Sequence, residues 1–324
     1  MGWEEVRTFK LLMLGSLAGC AYGVGLRLLA SLHIAGFGVM TTGFIFFMPF
    51  ALGCITMYFA EFRQQQPVSI WILLPWLPVA AALVAISLFL LEGLICIVMF
   101  APLALVLSTL GGIFGGFAGR VVRSRRARSI TVACIAVLPF FTAAWEKPVF
   151  YQVESRRVEN VIEIQSPPSV VWQNIERVRA IRKDELPSSW TRHLGFPDPV
   201  EATLSHEGVG GVRNASFTGG LLFIETVDVW EPGQRLAFSI AAQTDKIPAP
   251  TLDKHVRVGG EYFDVLRGEY RLEPLGPGVT RLHLSSQQRV STDFNWYAHL
   301  WTDAVMSDLQ RRILSVIKTR CEKR

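Results

Sequence analysis

The sequence predicts a chain in two parts: a bundle of about five transmembrane helices, then a water-soluble α+β domain. Three observations carry this expectation. Half of the 324 residues are hydrophobic and only 18% are charged, and the mean hydropathy is +0.33, which excludes a wholly soluble protein. The charges are unevenly divided. Residues 1–150 hold 10 Lys/Arg and 5 Asp/Glu, whereas the remaining 174 residues hold 22 of each. Near residue 160 the pattern also changes, from long apolar runs to short alternating segments broken by Gly and Pro. The boundaries drawn are 1–150 for the transmembrane domain and 151–324 for the soluble one. The net charge of +5 lies wholly in the first part, so the basic balance is no sign of nucleic acid and no nucleic-acid partner is expected.

Five apolar runs, at 11–31, 34–60, 68–91, 94–118 and 129–147, each approach or exceed the roughly 20 residues needed to cross a bilayer core. A cleaved signal peptide is the alternative for the first run. That run is long, however, and no small-residue cleavage site leads into polar sequence. Arg120, Arg123, Arg125, Arg126 and Arg128 lie between the fourth and fifth runs, whereas the turn after the third carries only Glu92. Positive charge marks the cytoplasmic side. The N-terminus (Arg7, Lys10) and the Arg63 loop then face inward too. With five crossings the C-terminal domain emerges outside the cytoplasmic membrane. Arg27, near the end of the first run, is expected to snorkel to the interface. The small residues of 111–119 suit close packing against a neighbouring span more than a pore or dimer face. Pro49, Pro75, Pro78, Pro102 and Pro139 should kink their helices.

Local motifs add little chemistry. Cys20, Cys54, Cys96 and Cys134 sit in apolar stretches and Cys321 lies near the C-terminus, so no disulfide framework is available. There is no CxxC, the six histidines lack ligand spacing, and no GxSxG, P-loop or GxGxxG is present. No metal and no cofactor are expected, and no catalytic residue is assigned.

In the second part, 160–165 reads as a short strand and Ser166 to Ser169 as the capped start of a helix. A second, irregular helical stretch containing Pro187, Pro197 and Pro199 follows. Strands are then expected at 200–206, 210–217, 221–230, 234–242, 261–273 and 279–290, before a final helix at about 293–320. Turn residues separate them: Thr218, Gly219 and Gly220; Pro232 and Gly233; Gly276, Pro277 and Gly278. One strand, two short helices, six antiparallel strands and a last helix make an α+β order.

Five segments in this order carry a resemblance: IQSPPSVVW at 164–172, GVGGVR at 208–213, ETVDVWEPGQRLAF at 225–238, GEYRL at 268–272 and TRL at 280–282. Together, over about 158–320, they resemble the SRPBCC superfamily of START-related and polyketide-cyclase-like domains. The first part resembles the multi-span membrane anchors attached to a bacterial branch of that family. The resemblance implies a helix-grip: a curved seven-stranded antiparallel sheet around the last helix, with an apolar cavity between them. Lipid carriers, cyclases, hydroxylase domains and stress sensors share this fold, so it implies a cavity rather than an activity.

The residues narrow the cavity wall. If Thr218, Gly219 and Gly220 form a three-residue hairpin loop, Phe217 faces Leu221, Ala215 faces Phe223 and Arg213 faces Glu225, on one sheet face with Val227 and Val229. The opposed charges are either a register-fixing ion pair or a polar anchor for a ligand head group; a bulge or shorter turn would dissolve the pairing. Leu236, Phe238 and Ile240 share a face, as do Tyr270 with Leu272 and Leu282 with Leu284. On the last helix Trp301, Val305 and Leu309 recur at helical spacing. Most of these are core; Tyr270 and Trp301 keep a polar atom for a ligand. His206 and His283 are read as bystanders. Residues 243–260 form a lid over the cavity or a disordered insertion. The basic tail Arg311, Arg312, Lys318, Arg320, Lys323 and Arg324 suits a helix C-terminus, with anionic lipid as the sharper alternative.

Three functional classes follow. The leading one is a membrane-anchored module that binds a lipid or another hydrophobic small molecule. The others are a cyclase- or hydrolase-type enzyme using Glu225, Arg213, Tyr270 or His206, and a structural or partner-binding domain with a filled cavity. The bilayer and a hydrophobic ligand are the expected partners.

Overall fold

With no water in a bilayer core to satisfy backbone amides, a long apolar run satisfies them internally as a helix. The computed structural model describes residues 3–31, 40–61, 65–122, 125–141, 152–243 and 258–323, in two units, Met1–Tyr151 and Gln152–Arg324. The first unit contains α1 (Trp3–Ser31), a π-helical turn at Gly43–Phe47 running into α2 (Met48–Glu61), α3 (Val68–Leu73), α4 (Trp76–Leu88), α5 (Leu94–Val121) and α6 (Arg125–Phe141). Among the described residues, four stretches are long and apolar enough to cross a membrane: Met13–Ala30, Gly43–Glu61, Val68–Leu88 and Leu94–Val121. The fifth run differs from expectation. Its helix has 17 residues and is apolar only over Ser129–Phe140; 142–147 lie outside the described residues, as do 34–39 of the second run. Arg125, Arg126 and Arg128 are not in a loop but in the first turn of α6. The third run breaks at Leu74 and Pro75 into α3 and α4, whereas Pro102 and Pro139 are carried inside α5 and α6.

Glycines set the packing of α5. A Cβ at Gly111 would strike the Phe50 carbonyl, one at Gly115 that of Cys54, and one at Gly112 that of Trp71. The small-residue stretch therefore seats α5 against α2 on one side and α3 on the other, the close backbone approach that such residues permit. Arg27 is 1% exposed, forms an ion pair with Glu92 and donates to the Leu91 carbonyl at 2.9 Å, both partners lying in the turn between α4 and α5. At the ends of α2 and α5, Glu61 accepts from Arg120 Nε at 2.6 Å, from Trp71 Nε1 at 3.0 Å and from the Gln66 amide at 2.9 Å. The Arg120 guanidinium also lies 4.2 Å from the Trp71 ring centroid.

The second unit contains a seven-stranded sheet in the order β1-β7-β6-β5-β4-β3-β2, with neighbouring strands antiparallel. The strands are β1 (Gln152–Ile164), β2 (Pro199–Leu204), β3 (Val212–Phe217), β4 (Leu222–Glu231), β5 (Arg235–Gln243), β6 (Phe263–Gly276) and β7 (Val279–Thr292). Two short helices, α7 (Pro168–Glu176) and α8 (Trp190–His193), lie between β1 and β2, and α9 (Asn295–Glu322) closes the chain against β1 and β7. This is the helix-grip architecture. β1 is twice the expected strand, pairing with β7 from Gln152 opposite Thr292 to Ile164 opposite Thr280. Its first half lacks apolar alternation because its partners on α9 are polar: Glu154 meets His299 at 2.7 Å, Arg156 meets Asp303 at 2.7 Å and Asn160 meets Gln310 at 2.8 Å. The irregular helical stretch reduces to α8, capped by Ser189, and to a bridge between Val178 and Ala202.

The basic tail is largely spent on folding. Arg312 pairs with Asp198, Arg311 donates to Asn160 at 3.0 Å, and Arg320 grips Glu185 through two bonds of 2.9 Å. These contacts hold the segment between α7 and β2 against α9.

Candidate functional site

The site is built on the β3–β4 hairpin. Gly219 and Gly220 adopt φ of 74° and 86°, the left-handed region open to glycine, and the Phe217 amide donates to the Leu221 carbonyl at 2.8 Å. The register that follows sets Arg213 opposite Glu225 and Ala215 opposite Phe223. Arg213 is 3% and Glu225 6% exposed, and they form a direct ion pair. β5 places Ile240 beside Glu225 and Phe238 beside Val227. β6 then sets Gly268 against Phe238, where a Cβ would collide with the ring. The Arg213 guanidinium is left 5.3 Å from the Phe238 ring centroid and 5.8 Å from that of Tyr270, within cation–π range.

Two apolar clusters flank this pair. One contains Trp172, Val227, Leu236, Phe238, Tyr270, Leu272, Leu282, Leu314, Ile317 and Cys321. The other contains Ala215, Phe217, Leu221, Phe223, Met306 and Leu309. Ile240 and Ile313 pack against both. Arg213 thus touches aromatic rings of the first cluster while its strand neighbours Ala215 and Phe217 belong to the second, which puts the charged pair at the seam, on the face that α9 covers. Phe217 and Phe223 meet edge to face at 5.2 Å.

Burial raises the Glu225 carboxyl above the ordinary carboxylate range, with Arg213 opposing. Burial likewise raises the Tyr270 hydroxyl, again opposed by Arg213. Arg213 stays a cation at any working pH. Among the described residues its Nε has no hydrogen-bond partner. The arrangement offers a guanidinium N–H, a carboxyl and a phenol at the bottom of an apolar layer, which is chemistry for orienting a polar end group.

Three expectations require correction. Val229 does not share the inner face, because a bulge between Val227 and Val229 reverses the alternation; Trp230 turns inward instead and meets Trp172 edge to face at 5.1 Å. Trp301 is only half-buried and meets Tyr297 edge to face at 6.4 Å, outside both clusters. Val305 is buried but is also outside both. The inward stripe of α9 is shifted by one residue, to Met306, Leu309, Ile313 and Ile317, so Leu309 alone of the expected three belongs to it.

The sequence placed Arg312 in the basic tail and gave no account of its burial. Arg312 is 2% exposed, and its Nε and Nη1 have no hydrogen-bond partner among the described residues. Its spacing of three from Leu309 was the available sign that it lies near the inner face. His283 lies on the outer face between Glu159 at 2.7 Å and Glu273 at 3.3 Å, and His206 is exposed. A groove of about 270 Å³ beside Arg157, Arg267, Ser285 and Gln287 opens on that outer face, and Arg267 there pairs with Asp228 at 3.0 Å. No group of three or more His, Cys, Asp or Glu side chains is placed to hold a metal among the described residues. The proposed lid falls mostly in 244–257, outside the described residues.

No protein-family model and no curated protein matches the chain. Solved structures similar to it include a START superfamily protein from Mycobacterium smegmatis (11% identity, TM-score 0.34, covering 52% of this chain and 97% of that one). Another is the Zhui aromatase/cyclase from a Streptomyces species (16%, TM-score 0.32, 52% and 94%). A third is a protein from Nitrosospira multiformis (18%, TM-score 0.32, 52% and 97%). The neighbours are thus START-related and cyclase-like structures, while the fold itself rests on this chain's own strand order and register.

Proposed function

We propose that the protein is a membrane-anchored binding module for a lipid or another hydrophobic small molecule, held between the inner sheet face and α9. The carrying observation is the Arg213–Glu225 pair beside Tyr270, at the seam of two apolar clusters, with one guanidinium N–H unused. A buried ion pair is poor value for stability, since apolar residues of similar volume often do as well or better. Its presence on the ligand-facing wall supports a polar anchor for a head group. Phe217, Phe223, Val227, Phe238, Leu272 and Leu282 supply the apolar wall around it.

The soluble unit works outside the cytoplasmic membrane, with α6 as a fifth crossing and the N-terminus inside. Supporting this, Ile135 of α6 packs with Ala51, Cys54 and Ile55, and the Tyr22 hydroxyl donates to the Ala136 carbonyl at 2.8 Å. These contacts fall midway along α1 and α2, so α6 lies at the same depth as full-length spans.

The test is to extract the full chain from its membrane in lipid-polymer discs and identify co-purifying small molecules by mass spectrometry. The wild type should retain a discrete hydrophobic species that the Arg213→Met, Glu225→Leu double variant loses while still folded. Equal retention by both would reduce the pair to a structural one, and an empty wild type would overturn the binding reading.

A further inference from the structure

Arg312 lies on the side of α9 that covers the sheet, and much of its hydrogen-bonding capacity is unused. It sits one turn after Leu309 and next to Ile313, both packed into the apolar clusters. Its Nη2 pairs with Asp198, while Nε and Nη1 meet no acceptor among the described residues. A guanidinium stays charged when buried, and a buried donor without an acceptor is costly. An acceptor arriving with a ligand would relieve that cost.

The local charge favours an anion. Asp198 Oδ2 also lies 3.2 Å from Arg192 Nε, so one carboxylate answers two guanidiniums and a positive charge is left over. Asp308, one turn before Arg312 on α9, is turned instead to the Ser189 and Thr191 hydroxyls, from which it accepts two bonds. Glu225, by contrast, answers Arg213 one to one.

The wall beside Arg312 is apolar and within reach of a ligand. Asp198 is stitched to the hairpin end of β3: its amide donates to Thr218 Oγ1 and its carbonyl accepts from the Thr218 amide, both at 2.8 Å. Pro199, the next residue, pairs with Phe217. The Arg312 guanidinium is thereby set at the edge of the cluster that contains Ala215, Phe217, Phe223 and Leu309. Each of these four keeps 8% of its surface accessible beneath α9, whereas Ile164, Leu236 and Leu282 of the other cluster keep none. Residual space therefore lies against the cluster that Arg312 borders. Arg213 stands four residues from Phe217 along β3, about 13 Å at the strand rise, with the paired small residues Ala202 and Ala215 between. The two arginines approach this wall from opposite ends.

We infer that Arg312 receives the anionic head group of the ligand, a carboxylate or a phosphate on an apolar body that lies along Ala215, Phe217 and Phe223. The charge-balanced Arg213–Glu225 pair then suits an uncharged polar group further along the same molecule. The inference rests on the binding reading and narrows its ligand to an anionic amphiphile.

The test titrates the full chain in lipid-polymer discs with dansylaminoundecanoic acid, a fluorescent fatty acid, and with its uncharged methyl ester, discs without the protein giving the baseline. The acid should bind roughly tenfold tighter than the ester, the worth of a charge-assisted hydrogen bond. Arg312→Met should bring the acid down to the affinity of the ester and leave the ester unchanged, since Arg192 keeps Asp198 paired. Should that variant fail to fold, Arg312→Gln, which keeps a donor for Asp198 without the charge, is read in its place. Dodecanoate and dodecyl phosphate should displace the acid where dodecanol does not, and the stronger of the two identifies the head group. Equal binding of acid and ester by the wild type would overturn the anion anchor while upholding a binding site, as would an acid preference that survives in the Arg312 variants. Binding of neither probe would also overturn it, and the binding reading would then stand or fall on the co-purifying species alone.

Discussion

Arg213 and Arg27 are both buried cations set against a carboxylate. Arg27 pairs with Glu92 and donates to the Leu91 carbonyl. Arg213 pairs with Glu225 and lies against the Phe238 and Tyr270 rings. Removing one member of such a pair leaves an uncompensated group, so Arg213→Met or Glu225→Gln should each destabilise the soluble unit by about 3–5 kcal/mol in denaturant unfolding. Arg213→Met combined with Glu225→Leu should recover most of that loss, because nothing charged is then left buried; additive losses in the double variant would contradict the pairing. The grip of Arg320 on Glu185 gives a pH signature. Hydrogen bonds from Arg320, more than its field, hold the Glu185 carboxyl at about 2 against an ordinary 4.5. A depressed carboxyl stabilises the fold fully above its unfolded value and loses that contribution as pH falls, here from about 4.5 towards about 2. The wild type should lose roughly 2 kcal/mol across this window, less than the full shift implies because salt screens the pair. Arg320→Met should flatten that part of the stability profile, and an unchanged slope would show that Glu185 does not contribute it.

At the scale of elements, legibility followed the source of each element's stability. β4 to β7 and α9 alternate or repeat apolar residues, and their bounds could be read closely. The first half of β1 could not, because Glu154 and Arg156 look outward-facing until their polar partners on α9 are known. The hairpin register was legible from Thr218, Gly219 and Gly220, whereas the β4 bulge that exchanges Val229 for Trp230 leaves no local mark. The α9 stripe was misphased because Trp301 and Val305 look as apolar as Met306; only packing against the sheet selects among them. In the membrane unit the reverse held, for the glycines of α5 announced close packing but not its partners. Those partners make a prediction. Gly111→Val or Gly115→Val would drive a side chain into the α2 backbone, and overpacking of this kind costs about 1–3 kcal/mol or more. Either should lower the thermal stability of the detergent-solubilised chain. Gly25→Ala, where an added Cβ meets nothing within 4 Å, should not lower it; an equal loss at all three positions would show that the α2 contact is not what decides.

For the whole molecule, the side of the membrane assigned to the second unit depends on one helix. Four crossings would return the chain to the side of its N-terminus; five place the soluble unit opposite. α6 is short for a span at 17 residues, yet a bilayer accommodates spans near that length by local thinning, and its contacts with Tyr22 and Ile55 lie deep in the bundle. Arg120 is answered by Glu61, which removes it from the charge balance that orients the bundle. Arg123, Arg125, Arg126 and Arg128 remain, four cations at or just before the start of α6, and the proposed cytoplasmic placement of that end rests on them. Single cysteines should separate the two topologies in a chain freed of its native ones. A cysteine at Leu275, exposed in the soluble unit, should react with a membrane-impermeant maleimide in intact cells. One at Arg126, exposed at the start of α6, should react only after permeabilisation. Protection of both would mean that α6 does not cross, and the hydrophobic ligand would then have to be sought among cytoplasmic molecules rather than in the outer leaflet or beyond it. Reaction at both in intact cells would reverse the orientation assigned to the arginines themselves.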